Sequence, residues 1–129
     1  MPAHYETAFR SNGADIIYFS DDGTNWNVTK TPLPLMDEST VTEVGTDGEI
    51  IINMRSTSRL RAVATSKDGG VNFGEIKFDT GLQDPVCEAS ITTIFNAKNE
   101  SNNGVVMFSN PNMAKSRSKL TIKFSEDNA

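Results

Sequence analysis

The sequence AVATSKDGGVNF, at residues 62–73, joins a short β-type run to a turn that ends in an aromatic residue. Ser66 closes the run, and Asp68, two glycines and Phe73 follow it. Ser and Asp side chains bond back to the nearby backbone and so stabilise turns, and glycine adopts a backbone conformation that other residues resist. The stretch therefore predicts a strand and a tight turn, with the aromatic side chain folded beneath the turn.

The same pattern occurs in two other segments of the chain. IIYFSDDGTNW, at residues 16–26, repeats it up to its aromatic residue, Trp26, and LTIKFSEDN, at residues 120–128, begins it again. The serines, at positions 20, 66 and 125, are 46 and 59 residues apart. Repeats of about 40 to 50 residues are typical of β-propeller blades, and insertions lengthen them. We therefore expect turns near residues 20–26 and 66–73 and a truncated one from residue 125.

Strand patterns fill the stretches between these turns. They lie at residues 41–44, 49–53, 90–95, 105–108 and 120–124. Asp47 and Gly48 separate the first two, which is a hairpin signal. No window shows a sustained helical period. We expect residues 1–129 to form a single all-β unit, a partial β-propeller of about two and a half to three blades.

Composition excludes several classes of function. The chain has 129 residues and a net charge of −5, which argues against a general nucleic-acid binder. The single cysteine, Cys87, rules out an intrachain disulfide, and the single histidine, His4, argues against a zinc site. No apolar run approaches the roughly 20 residues of a membrane span, and the first residues lack the pattern of a signal peptide. We expect no metal and no cofactor.

The two complete turns resemble the Asp-box repeats of sialidases. Residues 66–73 fit the pattern S-x-D-x-G-x-x-[WF] fully, and the first turn is one residue shorter. Three further stretches resemble segments of the same family. They are DESTVTEV at 37–44 with INMR at 52–55, DPVCEAS at 84–90, and FSNP at 108–111 with RSKLT at 117–121. The chain thus resembles the middle of a sialidase catalytic domain, which is a six-bladed propeller.

The resemblance implies an exo-α-sialidase, which removes terminal sialic acid from glycoconjugates. In the family three arginines grip the sugar carboxylate, a task suited to bidentate guanidinium groups. The nucleophile is a tyrosine assisted by a glutamate, and a separate aspartate acts as acid and base. By position, Glu38 is the catalytic glutamate, and Arg55 and Arg117 are the second and third substrate-binding arginines. Tyr5 resembles an aromatic residue that lines the pocket.

We expect no role in substrate binding for the other arginines and lysines near these positions. Arg10 matches no position of the arginine triad and is set aside. Arg59 and Arg61, near Arg55, are expected to be surface charges, as are Lys115 and Lys119.

Three catalytic parts of the family have no match in the sequence. They are the first arginine, the acid/base aspartate and the nucleophilic tyrosine. Glu88 also stands where the family usually has an amide, and a negative charge there would oppose an anionic sugar. We therefore expect either a fragment that is incomplete for catalysis or a chain that assembles as a homo-oligomer. The alternative function is a non-catalytic Asp-box segment with a carbohydrate-binding or structural role.

The resemblance implies sialic-acid-containing glycans as partners, and a trans-sialidase would look alike at these residues. A secreted or periplasmic parent would carry its signal outside these residues.

Overall fold

The computed structural model describes residues 1–5, 13–45, 48–95 and 104–126. Within these ranges the regular secondary structure consists of β-strands, as predicted. The strands are β1 Pro2–Tyr5, β2 Ala14–Phe19, β3 Asn27–Val28, β4 Leu33–Pro34, β5 Asp37–Val44, β6 Glu49–Arg55, β7 Leu60–Ser66, β8 Lys77–Gln83, β9 Ser90–Ile94, β10 Val105–Pro111 and β11 Leu120–Ser125.

These strands form three antiparallel sheets that follow one another along the chain. In the first sheet β2 pairs with β1, β3 and β4; the second has the order β5-β6-β7-β8; and the third has the order β11-β10-β9. All five predicted strand segments are confirmed. The predicted hairpin joins β5 to β6, although Thr46 and Asp47 lie outside the described residues. The loop residues 96–103 and the third turn beyond Glu126 also lie outside them.

The sheets stack face to face, with one apolar layer in each gap. Alternate side chains of a strand point to opposite faces. On β6, Ile52 and Met54 therefore join the layer with Ile17 of the first sheet, whereas Ile51 joins the layer with Phe108 of the third. A sheet buried on both faces between two similar sheets is the arrangement of a propeller blade.

The turn serines define equivalent positions in successive sheets. Ile17, Val63 and Ile122 each stand three residues before such a serine. Ile17 is buried in the layer between the first and second sheets, and Val63 packs in the layer between the second and third. Ile122 lies on the far side of the third sheet and is 55% exposed. The sequence repeat is thus a structural repeat, and the chain is a partial propeller.

Both complete turns have the predicted bonding. The Ser66 hydroxyl donates to Asp68 Oδ1 at 2.8 Å and accepts from the backbone N–H of Gly70 at 2.9 Å, and Gly70 has a φ of 93°. Asp68 also accepts from the N–H of Asn72 at 2.9 Å. In the first turn Ser20, Asp22 and Asn25 bond in the same way.

The turns differ in their aromatic residues. Phe73 packs against the layer between the first and second sheets, as predicted. Trp26 is 54% exposed, so the prediction that it folds beneath its turn is wrong. The physical reason is that Phe73 has the neighbouring first sheet to pack against, whereas among the described residues no sheet covers the corresponding side of the first sheet.

Candidate active site

One end of the stacked sheets gathers the residues singled out from the sequence. We call it the site end; it comprises the start of β5, the end of β6 and the connecting residues 56–59, 84–89 and 112–119. The opposite end, which carries the turns at 20–26 and 66–73, is the turn end. Since the strands are antiparallel, β5, β7, β9 and β11 all begin at the site end.

Arg55 and Glu38 form the central contact of the site end. Arg55 Nη1 donates to Glu38 Oε2 at 2.7 Å, and Arg55 Nε lies 3.5 Å from Asp37 Oδ2. Asp37 pairs with Arg55 across β5 and β6, and a register shift between Asp37 and Ser39 displaces Glu38 from the regular ladder. The hydrogen bond with Glu38 raises the pKa of Arg55, against the opposing effect of partial burial.

A second arginine, Arg61, is completely buried between the second and third sheets. Its Nε donates to Asn53 Oδ1 at 2.6 Å and its Nη1 donates to the carbonyl oxygen of Cys87 at 2.7 Å. The carboxylate of Asp84, also fully buried, lies 3.5 Å from Nη1. Burial lowers the pKa of Arg61, and the negative charge of Asp84 acts in the opposite direction. A buried charge needs such partners, since water cannot solvate it.

The prediction that Arg61 is a surface charge is therefore wrong. It lies on β7 two residues before Val63, and strand alternation places both side chains on the face that meets the third sheet. Arg59 is exposed, as predicted.

The buried network holds the loop that supports Arg117. Cys87, whose carbonyl binds Arg61, follows Val86, whose φ of 62° is unusual for a β-branched residue. Arg117 Nη2 donates to the carbonyl oxygen of Val86 at 3.2 Å. On the other side, Arg59 Nη1 donates to the carbonyl oxygen of Ala114 at 2.6 Å, in the same connection as Arg117. The connections 84–89 and 112–119 are thus tied to each other and to the second sheet.

A cavity of about 420 Å³ opens between the starts of β5 and β9 and the end of β10. Ser39, the residue after Glu38, lines it, whereas Glu38, Arg55 and Arg117 do not. The polar lining of the cavity is mostly hydroxyl and amide groups: Ser39, Thr40, Ser90, Ser109 and Asn110, together with the carboxylate of Glu88. Such groups donate and accept hydrogen bonds and are suited to polyhydroxylated ligands.

The sequence is similar to those of two sialidases. The sialidase of Micromonospora viridifaciens is 35% identical over 115 residues, which cover 86% of this chain and 18% of that protein. The sialidase of Bacteroides fragilis is 34% identical over 129 residues, which cover 98% of this chain and 24% of that protein. The chain resembles the sialidases. It spans about a fifth of the length of these relatives.

Solved structures show the same resemblance to sialidases. The Hadza microbial sialidase Hz136 superposes with a TM-score of 0.73 at 32% identity, over 91% of this chain and 23% of that one. The NanB sialidase from Streptococcus pneumoniae gives a TM-score of 0.70 at 20% identity, over 92% of this chain and 19% of that one, which supports the fold. No protein-family model matches the chain.

Of the four residues assigned through the resemblance to sialidases, Glu38 and Arg55 are in direct contact. Arg117 lies at the same end and donates a hydrogen bond to Val86, in the loop that also binds Arg61. Tyr5 ends β1 opposite Ala14 and is 41% exposed. Strand alternation turns its side chain to the face of the first sheet away from Glu38, and no bond within the described ranges joins it to the other three.

The remaining predictions concern surface charges and metal binding. Lys115 and Lys119 are exposed, as predicted, and Glu88 is exposed at the cavity. Arg10 lies outside the described residues. Across the described part of the chain, no three His, Cys, Asp or Glu side chains are grouped so that they could hold a metal ion. None of its segments is a helix long and apolar enough to cross a membrane.

Sequence reasoning missed a buried carboxylate at the site end. Asp15 is fully buried, and its Oδ1 lies 3.0 Å from His4 Nδ1. Burial raises the pKa of Asp15 to about 6, although hydrogen bonds with His4 and Ser39 favour the ionised form. A signal was present, because Asp15 and Arg61 both stand five residues before a turn serine. In the first two copies of the repeat this position places a charged side chain between sheets, whereas the third copy has the exposed Leu120 there.

Proposed function

We propose that this chain forms the carboxylate-binding part of an exo-α-sialidase, in which Arg55 and Arg117 bind terminal sialic acid and Glu38 assists catalysis. The observation that carries the proposal is the 2.7 Å contact between Arg55 and Glu38. It joins a cation suited to the sugar carboxylate to an anion suited to proton transfer, and Ser39, the residue after Glu38, lines a cavity rich in hydroxyl groups.

Arg55 has the surroundings of a ligand-binding guanidinium. Nη1 donates a hydrogen bond to Glu38, Nε lies 3.5 Å from Asp37 Oδ2 without a hydrogen bond, and no described residue bonds to Nη2. The two carboxylates hold the guanidinium, and donors of Nε and Nη2 stay without a hydrogen-bond partner among the described residues. A substrate carboxylate would bind there through charge-assisted hydrogen bonds, each of which contributes about 1.5–3 kcal/mol.

Arg117 would be a second donor to the same carboxylate. Its hydrogen bond to the carbonyl of Val86 is long, at 3.2 Å, and its side chain is exposed. Replacing that single neutral partner by a substrate carboxylate would strengthen its bonding, because charge-assisted bonds are the stronger kind.

Glu38 would act as a proton acceptor for a tyrosine nucleophile. A neutral nucleophile avoids bringing one anion up to the anionic sugar, and a neighbouring carboxylate can take its proton. The contact with Arg55 would hold the Glu38 side chain in a fixed orientation for this transfer.

A second candidate function is sialic acid binding without hydrolysis. The two tyrosines of the chain, Tyr5 and Tyr18, lie on the face of the first sheet that points away from the second, and among the described residues no hydrogen bond joins either of them to Glu38. This placement favours a binding role for the residues present in this chain. A whole protein that supplies the missing groups would hydrolyse the sugar at the same site.

The test measures binding and hydrolysis with the same variants. Binding of free sialic acid is followed by calorimetry, and hydrolysis with a fluorogenic sialoside. We expect Arg55→Met and Arg117→Met each to weaken binding by about 10- to 100-fold, because each removes a charge-assisted bond. Lys115→Met, which removes an exposed cation from the Arg117 connection, is the matched control and should change binding less than about twofold.

Three outcomes separate the candidates. Arginine-dependent binding with hydrolysis supports the sialidase proposal, and arginine-dependent binding without hydrolysis supports the second candidate. Absence of sialic acid binding, or equal losses in the arginine variants and Lys115→Met, overturns both.

A further inference from the structure

The two ends of the sheets differ in which residues adopt the left-handed backbone conformation. Among the described residues at the turn end, those with a positive φ are Gly23, Gly45, Gly48, Gly69, Gly70 and Gly104. At the site end they are Leu35, Arg59, Val86 and Lys119, each in a connection that precedes a strand. Residues other than glycine resist this conformation, so the surrounding structure must hold it, and such strain is concentrated at functional sites.

Val86 is the most unusual of these four residues. Its φ is 62°, and a β-branched residue in this conformation is an outlier. The left-handed conformation brings Cβ too close to the carbonyl oxygen that follows it. Rotation about φ would relieve this contact and would turn the next peptide group relative to the chain before it. The neighbours of Val86 therefore have to prevent that rotation.

Asp84 holds the peptide group that follows Val86. This group contains the carbonyl of Val86 and the N–H of Cys87, which point in opposite directions because the peptide is planar and trans. The N–H donates to both carboxylate oxygens of Asp84, at 3.4 Å each. On the other side, the carbonyl oxygen accepts from Arg117 Nη2 at 3.2 Å. One peptide group thus connects a buried carboxylate to an exposed guanidinium.

Asp84 is fixed on two sides. Its backbone N–H donates to the carbonyl oxygen of Arg59 at 3.0 Å, and its carboxylate lies 3.5 Å from Arg61 Nη1. The same Nη1 donates to the carbonyl oxygen of Cys87 at 2.7 Å. Since Asp84 and Arg61 are completely buried, water cannot replace these contacts. The buried pair is therefore placed to set the orientation of the peptide group that Arg117 contacts.

We propose that Asp84, with Arg61 as its counter-ion, is a positioning residue for Arg117. Its carboxylate holds the peptide group after Val86, and the Val86 carbonyl then orients the Arg117 guanidinium for the carboxylate of the substrate. The inference rests on the proposed function, because only a site in which Arg117 binds the ligand gives this orientation a use.

Two double variants separate the hydrogen bond of Asp84 from its charge. Both carry Arg61→Met; Asp84→Leu also removes the acceptor of the Cys87 N–H, whereas Asp84→Asn retains one. We expect the Leu variant to weaken binding of sialic acid, measured by calorimetry, about tenfold, and the Asn variant less than about threefold. Equal losses overturn the proposal. Circular dichroism identifies any variant that fails to fold.

Variants of Val86 test the same step with the buried pair intact. Val86→Pro fixes φ at about −65° and so turns the following peptide group; it should weaken binding about tenfold. Val86→Gly, the matched control, permits the positive φ and should weaken binding less than about threefold. Equal affinities of the two variants would show that the backbone conformation of Val86 does not affect binding, and would overturn the proposal.

A double-mutant cycle tests whether Arg117 carries the effect. In a chain with Arg117→Met, adding Val86→Pro should weaken binding less than about twofold further, because the two changes remove the same interaction. In a chain with Arg55→Met, it should again weaken binding about tenfold. Equal further losses in the two backgrounds overturn the proposal, since Val86 would then act on the site as a whole.

NMR spectra of the arginine Nε–H groups test the positioning without a ligand, and Arg117→Met identifies the signal of Arg117. This signal should keep its chemical shift in Val86→Gly and change in Val86→Pro. An identical signal in both overturns the inference, whether or not the chain binds sialic acid. If the unmodified chain binds no sialic acid while the signal responds in this way, the proposed function fails and the positioning of Arg117 by this peptide group is supported.

Discussion

The two ends of the sheets use carboxylates in opposite ways. At the turn end, Asp22 and Asp68 are exposed and accept hydrogen bonds from residues within four positions of themselves, which lowers the pKa of both and brings that of Asp68 to about 2. At the site end, Glu38 binds Arg55, 17 residues away, and Asp84, in the connection that follows β8, pairs with Arg61 of β7. The turn end is thus specified by local sequence, whereas the site end depends on tertiary packing.

The largest effect should come from breaking the buried pair at the site end. Arg61→Met leaves Asp84 buried without its cation, and we expect a loss of about 3–5 kcal/mol in the free energy of unfolding, measured by urea denaturation. Arg59→Met, at an exposed arginine two residues away, is the control and should cost less than about 1 kcal/mol.

A double variant sharpens this result. Arg61→Met with Asp84→Leu removes both charges and should recover much of the lost stability, because an apolar pair can replace a buried ion pair. If Arg61→Met lowers the free energy of unfolding no more than Arg59→Met does, the stability of the site end does not depend on the buried pair of Arg61 and Asp84.

An intermediate effect should appear within the turn end. Ser66 is buried and its hydroxyl bonds both Asp68 and the N–H of Gly70, so Ser66→Ala should cost about 1–3 kcal/mol of unfolding free energy. Ser20→Ala removes the same bonds where water can replace them, and the loss should be smaller. Equal losses at the two serines would show that burial of the turn contributes nothing.

The smallest effect should be a difference between the two ends in how the free energy of unfolding depends on pH. The raised pKa of Asp15, about 6, means that folding favours its protonated form. Its contribution to stability is therefore fully present below the unfolded pKa of about 4 and is lost as the pH rises through about 6. Asp15→Asn should remove this dependence, so that the variant gains on the order of 1 kcal/mol relative to the unmodified chain between pH 5 and pH 7.

The turn-end aspartates should respond in the opposite direction. Their lowered pKa values mean that their contribution is present above about pH 4 and is lost as the pH falls through the folded values. Unfolding of Asp15→Asn and of the unmodified chain, followed by urea denaturation at several pH values, measures both trends. An Asp15→Asn curve parallel to that of the unmodified chain between pH 5 and pH 7 contradicts the assignment.

Local features of the fold could be predicted, because they depend on neighbours in sequence. Asp47-Gly48 indicated the hairpin of β5 and β6, and Ser66 with Asp68 indicated a turn whose bonds close within it. The exposure of Trp26 could not be predicted, because it depends on whether another sheet lies opposite. The contact between Glu38 and Arg55 could not be predicted, since a separation of 17 residues leaves no local signal, and the resemblance to sialidases only placed both residues in one segment.

Buried charges were the hardest feature to predict. As a charged residue, Arg61 is expected to be solvated, and only its position five residues before Ser66 relates it to the buried Asp15, five residues before Ser20. Residue type indicates an exposed side chain at both positions, whereas the stacking of the sheets buries both side chains. The repeat register is therefore more informative than residue type in this chain.

The bonding of the Ser66 turn also has an evolutionary consequence. Its side-chain bonds join residues no more than four positions apart, so substitutions at the site end leave them intact. A lineage can therefore accumulate changes around Arg55 and Arg117, with gain or loss of chemistry, while the turns go on specifying the same sheets. Duplicated segments of this kind would diverge first in ligand preference and last in architecture.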